Sequence, residues 1–347
     1  MKKKSSFIVI FSLLVLIGIS IYVYKSKSTL STVATDARNF SFKDTAAITK
    51  IFIADKEGHA STVERTKNAW VVNGKFNCRS AAILNLMEVI KHVEVKMPVD
   101  KNGKKSVIKF MATNAVKVEI YAGSELVKQY YVGHETIDSE GSYMLLTNVD
   151  THENYPDPFV CFIPGFKGYL KPRFIADENS WRDRIVLNYI PPQIKQIKVR
   201  HVDEPADSSF MIDVINPTTF KLKSLQNQEL PFDDSKMKQY LAYFQNISYE
   251  VLITGKNKHL QDSLALQKPF CIITVATTNA ESKDYKFFRK AVSADLNIEP
   301  DMRYDYDPDR LFLRFDNDKE WALSQYYVFG KLFITPKYFS PLVSVKK

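Results

Sequence analysis

Glycine is scarce here, 11 of 347 residues, and no G-x-S-x-G elbow occurs. Phosphate-cradling loops and nucleophile elbows are built on such residues, so nucleotide-loop and serine-hydrolase signatures are excluded. Cysteine is nearly missing too: Cys78, Cys161 and Cys271 share no C-x-x-C spacing, which excludes a zinc cluster of the usual kind. In an exported chain an odd set leaves at least one thiol unpaired. Two readings stand: three buried thiols behaving as small hydrophobes, or one disulfide with one thiol left over.

No arginine-rich run exists. The net charge is +9, but Lys2, Lys3 and Lys4 account for part of it, and the remaining cations are interspersed with acids. A nucleic-acid partner is therefore excluded, while an anionic membrane or wall polymer suits the basic balance. No H-E-x-x-H helix is present, and the six histidines are spread along the chain. His134 and Glu135, with Asp138, Glu140, His152, Glu153 and Asp157 downstream, could gather round a metal; solvated loop residues are the plainer reading. Asp305-Tyr306-Asp307-Pro308-Asp309 alternates carboxylates like the start of a calcium loop. Arg310 then stands where that loop needs glycine, so the stretch reads as a polar turn into a strand from Leu311 to Phe315. Arg182 and Arg184 flank Asp183 as salt-bridge partners, and beside them Trp181 could line a groove between domains or a packing cluster. No catalytic residue, metal or small-molecule cofactor is expected.

What is present begins at the N-terminus. After Lys2 to Lys4, residues from Phe7 to Tyr24 form an uncharged apolar run closed by Lys25 and Lys27. At about 1.5 Å per helical residue such a run crosses a bilayer core. A secretory signal is usually shorter and ends in a small-x-small cleavage site, which is poorly matched here. The expectation is an uncleaved single-pass anchor, with residues 1–6 cytoplasmic by the positive-inside rule and the bulk of the chain periplasmic. Residues 25–45, rich in Ser and Thr, read as a tether.

The body repeats one plan. Aromatics reach 13%, which favours strands. Ile48 to Ile53 alternates as a half-buried strand, followed by strands around Val63 and Trp70. A helix capped by Ser80 comes next, with Ile83, Leu84, Met87 and Ile90 expected to face the sheet. The same order returns from Ile194, through strands around Ile212 and Phe220, to a helix capped by Asp233 or Asp234 that carries Met237, Leu241 and Phe244. The hairpin of residues 115–132 is answered by residues 270–289. Both halves close on aromatic-basic segments, PGFKGYLKPRF ending at Phe174 and VFGKLFITPKYF ending at Phe339. The expected fold class is α+β: after a transmembrane helix, two similar tandem domains (46–189 and 190–345). Each would be a curved, mainly antiparallel sheet with one main helix, and the boundary would fall at Ile190-Pro191-Pro192.

The order IxKIxI, VERTKNAWVVNGK, a leucine-rich helix and VEVK resembles an uncharacterised, domain-of-unknown-function family of bacterial single-anchor envelope proteins. PGFKGYLKPRF with SWRDR, and YDPDRLFLRF followed by QYYVFGKLF, resemble its Bacteroidetes-type members. The resemblance implies an accessory role beside gliding-type ABC transport systems and carries no catalytic residues. The expected function is a non-enzymatic, inner-membrane-anchored envelope scaffold that binds a protein partner. Its alternative is a cell-envelope polysaccharide hydrolase or binding module using acids such as Asp305 and Asp307. Interfaces favour mixed aromatic and basic surfaces, so Arg173, Phe174, Lys337 and Tyr338 are the expected partner-binding residues.

N-terminal sequencing of the membrane fraction checks the anchor. A chain that begins at its first residues is expected, and one that begins near residue 25 would show cleavage instead.

Overall fold

The computed structural model describes residues 35–292 and 304–341. The run from Phe7 to Tyr24 and residues 25–34 of the tether lie outside the described residues. No helix among those described is long and apolar enough to cross a membrane. The chain divides into two compact units, Met1–Asp183 and Arg184–Lys347, a few residues ahead of the proline pair. The reason is local pairing: Ile185–Leu187 joins a short two-stranded sheet with Ile247–Ser248, which places it with the second unit.

In the first unit the elements are β1 (Ile48–Ala54), β2 (Ala60–Arg65), β3 (Trp70–Val72), β4 (Phe76–Asn77), α1 (Ser80–His92), β5 (Glu94–Pro98), α2 (Lys101–Asn114), β6 (Val116–Ala122), β7 (Glu125–Glu135), β8 (Ser142–Thr147) and β9 (Phe159–Phe162). They form one nine-stranded antiparallel sheet in the order β4-β3-β2-β1-β6-β7-β8-β9-β5. In the second unit they are β10 (Ile185–Leu187), β11 (Ile194–His201), β12 (Phe210–Asn216), β13 (Thr219–Ser224), β14 (Glu229–Leu230), α3 (Asp234–Ala242), β15 (Ile247–Ser248), β16 (Val251–Ile253), α4 (Lys258–Ala265), β17 (Cys271–Thr277), β18 (Ser282–Arg289), β19 (Arg310–Phe315) and β20 (Glu320–Gln325). Its nine-stranded sheet runs β14-β13-β12-β11-β17-β18-β19-β20-β16. Taken in sequence, the two orders are the same. Even an irregularity recurs: the pairing of β1 with β6 shifts register between Ile48 and Lys50, and that of β11 with β17 between Ile194 and Gln196. Bulges bend and twist a sheet and are features of design rather than defects.

Side chains alternate across each sheet. On one face of the first sheet, Ile51, Ile53, Val118, Ile120, Tyr130, Val132, Met144 and Leu146 pack under α1. In the second, Ile197, Val199, Ile273, Val275, Phe287, Leu311 and Leu313 pack under α3. Met237, Leu241 and Phe244 are fully buried, as their spacing predicts, and Asp233 is the cap that accepts the Lys236 N–H. In α1 the buried stripe is Ile83, Leu86, Val89 and Ile90, with Met87 partly buried. Leu84 is 65% exposed, against expectation, because a 3.6-residue period turns it away from that stripe. Ser80 does not cap the helix either: the N-cap position is Arg79, with no side-chain bond.

Each unit also has a second helix on the reverse face, so the expectation of one main helix is corrected. Val107 and Met111 of α2 pack on Ala115 and Leu145. Leu264 of α4 packs with Ile253, Phe288, Phe312 and Trp321. Both helices bury few residues, and Ile108, Phe110 and Leu260 among their apolar residues are exposed. Their apolar period is therefore too sparse to read in sequence.

Leu86→Ala is expected to cost about 2–5 kcal/mol by chemical denaturation of the solubilised chain. Leu84→Ala should stay within about 0.5 kcal/mol. Equal losses would mean that both leucines pack.

Candidate functional site

The first unit holds a cleft of about 440 Å³ at the end of its sheet. Val116, Phe174, Ile175 and Ala176 contribute apolar lining; Tyr169, Lys171 and Pro172 come from the closing segment, and Thr113 and Asn114 from the end of α2. Asp55, Lys56 and Glu57, from the turn between β1 and β2, complete it. Two bonds tie the closing segment to the fold: Ser61 Oγ donates to the Ala176 carbonyl at 2.7 Å, and Lys171 Nζ to the Asn114 carbonyl at 2.8 Å.

The turn is organised by Asp55. Its Oδ1 accepts the backbone N–H groups of Glu57 and His59, each at 2.9 Å, and its Oδ2 lies 2.7 Å from His59 Nδ1. Gly58 sits at φ +90°, a left-handed conformation that suits glycine. Burial would raise the Asp55 carboxyl. The hydrogen bonds from the His59 ring and from the two backbone groups outweigh it and hold the pKa below the ordinary carboxylate value. Glu57 Oε2 is 4.0 Å from His59 Nδ1. One ligand atom from each of Asp55, Glu57 and His59 lies within 4.8 Å of the others, the only such grouping found among the described residues. A nitrogen-and-oxygen set of this kind could hold a divalent transition ion. The same bonds also close the hairpin unaided. In sequence the stretch Lys56-Glu57-Gly58 reads as a turn signal, and only the i, i+2, i+4 spacing of Asp55, Glu57 and His59 hints at more.

The residues expected at a partner surface are divided between core and exterior. Phe174 is 2% exposed, and its ring meets the Tyr130 edge at 5.8 Å, so it belongs to the first core. Arg173 stacks its guanidinium over Phe166 at 4.0 Å, and partial burial pushes its pKa down. Tyr338 is partly buried beside Phe339 and donates to Gln239 Oε1 at 3.1 Å. Lys337 is exposed. Phe329, Phe339 and Leu332 are fully buried in the second core, whereas Tyr327 is 95% exposed. The closing segments are thus pinned to the cores by Leu170 and Phe174 in the first unit and by Phe329, Leu332 and Phe339 in the second, with their other residues partly buried or exposed.

The other chemical-looking stretches are dispersed. Asp305 is exposed, but Asp307 is 2% exposed and accepts from Lys290 Nζ at 2.8 Å and from the N–H groups of Asp309 and Arg310 at 2.9 Å. It closes the turn into β19. Burial works to raise its carboxyl, and the Lys290 and backbone bonds prevail and lower it. Glu140 pairs with Lys96 at 2.9 Å, Asp157 with Lys104 at 2.6 Å, and Asp138 is held by Thr136. His134 lies between the Phe110 and Tyr143 rings, with centroids at 4.1 and 5.0 Å. Asp138 and Glu140 share Lys96, and among the described residues these acids and histidines form no group of three with ligand atoms close together. Cys78, Cys161 and Cys271 are free and buried, and burial pushes the Cys78 thiol up to about 12. Trp181 is fully buried in the first core and donates its indole N–H to the Ile175 carbonyl at 2.7 Å. No family model, curated protein or solved structure matches the chain.

Removing Asp307 should be costly, because it leaves Lys290 without its carboxylate in a half-dry turn. Asp307→Ala is expected to lose about 3 kcal/mol in denaturant unfolding. The lowered carboxyl contributes stability that is present at neutral pH and lost as pH falls through its folded pKa, below the ordinary 3.8. Asp307→Asn should flatten that part of the acid limb; an unchanged limb would show that other carboxylates carry it.

Proposed function

We propose that this protein is a non-catalytic envelope scaffold, anchored in the inner membrane by the run from Phe7 to Tyr24, with its N-terminus cytoplasmic and both sheet units periplasmic. Its partner is another envelope protein. The observation that carries this reading is the doubled sheet order, in which each unit ends on a strand paired along one side within its sheet, β5 on β9 and β16 on β20. Such edges present backbone donors and acceptors to an added strand. Two equivalent edges on one chain suit a protein that gathers or aligns others.

The chemistry-bearing side chains fit the same reading. Of Asp305 and Asp307, the acids a polysaccharide hydrolase would use, Asp307 is engaged by Lys290 and two backbone groups, and Asp305 is exposed. The resemblance to single-anchor envelope proteins supports an accessory role in a transport or motility system. Arg173 on the first unit and Lys337 on the second are the cationic residues of two separate proposed contacts, beside Phe174, buried in the first core, and Tyr338, partly buried in the second.

Crosslinking in native membranes, followed by identification of the captured protein, tests the proposal. Arg173→Glu combined with Lys337→Glu should reduce capture severalfold and leave the thermal melt nearly unchanged. Unaltered capture would remove these residues from the interface. Parallel loss of melt and capture would assign them to folding, and failure of the native chain to capture any envelope protein would overturn the scaffold reading.

A further inference from the structure

Helix α2 is charged in one sense only. Its 14 residues, KNGKKSVIKFMATN, contain four lysines and no acid. Val107 and Met111 face the sheet, and Lys104 is engaged by Asp157 at 2.6 Å. Lys101, Lys105 and Lys109 are exposed, and among the described residues none of them forms an ion pair. They recur every four residues, so at about 100° per residue they share one arc of the helix, roughly 100° wide, with Ile108. Ile108, beside the row, is 36% exposed; Phe110 lies about 100° further round the helix, its ring against His134 at 4.1 Å. Glu or Asp at i±4 would relieve the repulsion within such a row; α2 has neither, and Ile108 adjoins the row.

The chain arrives on the deeper face of the first sheet and α2 covers the reverse face, with the start of β9 between them. Ala37 and Phe40 are buried in the first core, Phe40 meets the Phe159 ring edge-on at 6.1 Å, and Arg38 lies over the same ring at 5.8 Å. One residue earlier, the Pro158 carbonyl accepts the Val99 N–H at 3.1 Å, and Asp157 holds Lys104. The start of β9 therefore joins the entry of the chain to the start of α2. Between Tyr24 and Thr35 there are only residues 25–34, a reach of at most about 35 Å when fully extended.

From these observations we propose that α2 docks on the anionic lipid headgroups of the same membrane, through Lys101, Lys105 and Lys109, with Ile108 inserted at the boundary. This rests on the membrane anchorage proposed above. Basic residues near a bilayer are drawn to acidic headgroups within about a Debye length, and apolar side chains beside them add burial. A short tether keeps the helix at high effective concentration over the surface, so a weak patch is enough. Docking would fix the orientation of the first unit above the bilayer.

The test uses the full chain reconstituted into phosphatidylcholine vesicles, with and without phosphatidylglycerol. Flotation reports anchorage, and amide hydrogen exchange across residues 101–114 reports docking. Phosphatidylglycerol is expected to slow exchange in α2 by roughly tenfold or more, with the effect reversed by salt. The combined variant Lys101→Glu, Lys105→Glu, Lys109→Glu should float as before and lose the protection, while exchange in β6 to β8 stays native and reports intact folding. A chain that floats but exchanges equally in both vesicles overturns the docking alone. A chain that does not float overturns the anchorage and the docking with it. Protection that requires an added envelope-protein extract, and not phosphatidylglycerol, assigns the helix to a protein partner and also overturns the proposal.

Discussion

A nine-stranded antiparallel sheet has two faces and two edges, and covering the faces is the constraint from which the other features of each unit follow. Alternation puts apolar side chains on both sides of β7 and β8: Tyr130, Val132, Met144 and Leu146 on one, Tyr131, Tyr143 and Leu145 on the other. One helix cannot cover both. The connection after β4 supplies α1 for the deeper face. The chain then crosses to the far edge as β5 and returns through α2 over the shallower one. The second unit solves the problem in the same way with α3, β16 and α4. The register irregularities between Ile48 and Lys50 and between Ile194 and Gln196 fall at the same point of β1 and β11, and a bulge at such a point adds local twist.

The deeper half of this arrangement was legible in the sequence and the shallower half was not. Ile83, Leu86 and Ile90, like Met237, Leu241 and Phe244, mark a helix because burial demands apolar groups at regular steps. Leu84 shows the limit: a leucine adjoining the stripe reads like a member of it, although its side chain points 100° or more away. In α2, Val107 and Met111 are the buried residues of fourteen, and Lys101, Lys104, Lys105 and Lys109 make the stretch look like a solvated loop. The same difficulty hides the cleft. Asp55, Glu57 and His59 are ordinary turn residues until the hairpin brings their side chains together, and Tyr169 and Lys171 reach it from more than a hundred positions along the chain. Phe174 shows a different limit: in sequence an aromatic beside a cation resembles an interface, and the backbone sends the Phe174 ring into the core while Arg173 is only partly buried.

Comparison of equivalent positions in the two units bears on what kind of function this architecture serves. The register that aligns Ile51 with Ile197 and Ile53 with Val199 aligns Asp55 with His201. Asp55 is a carboxylate that gathers backbone N–H groups at the hairpin. His201 is a buried imidazole whose Nε2 lies 3.0 Å from the Ile334 carbonyl, pinning the closing segment instead. The first position opens on a cleft with two acids and two lysines; its counterpart borders one shared by Arg200, Glu204 and Lys268. A reaction performed by both units would constrain the side chains at this end of the sheet, and here they differ in charge, size and bonding direction. What both units hold in common is backbone: the strand order, the bulge, the reverse-face helix and the edge strand. Recognition through an edge depends on backbone donors and acceptors and tolerates such side-chain change.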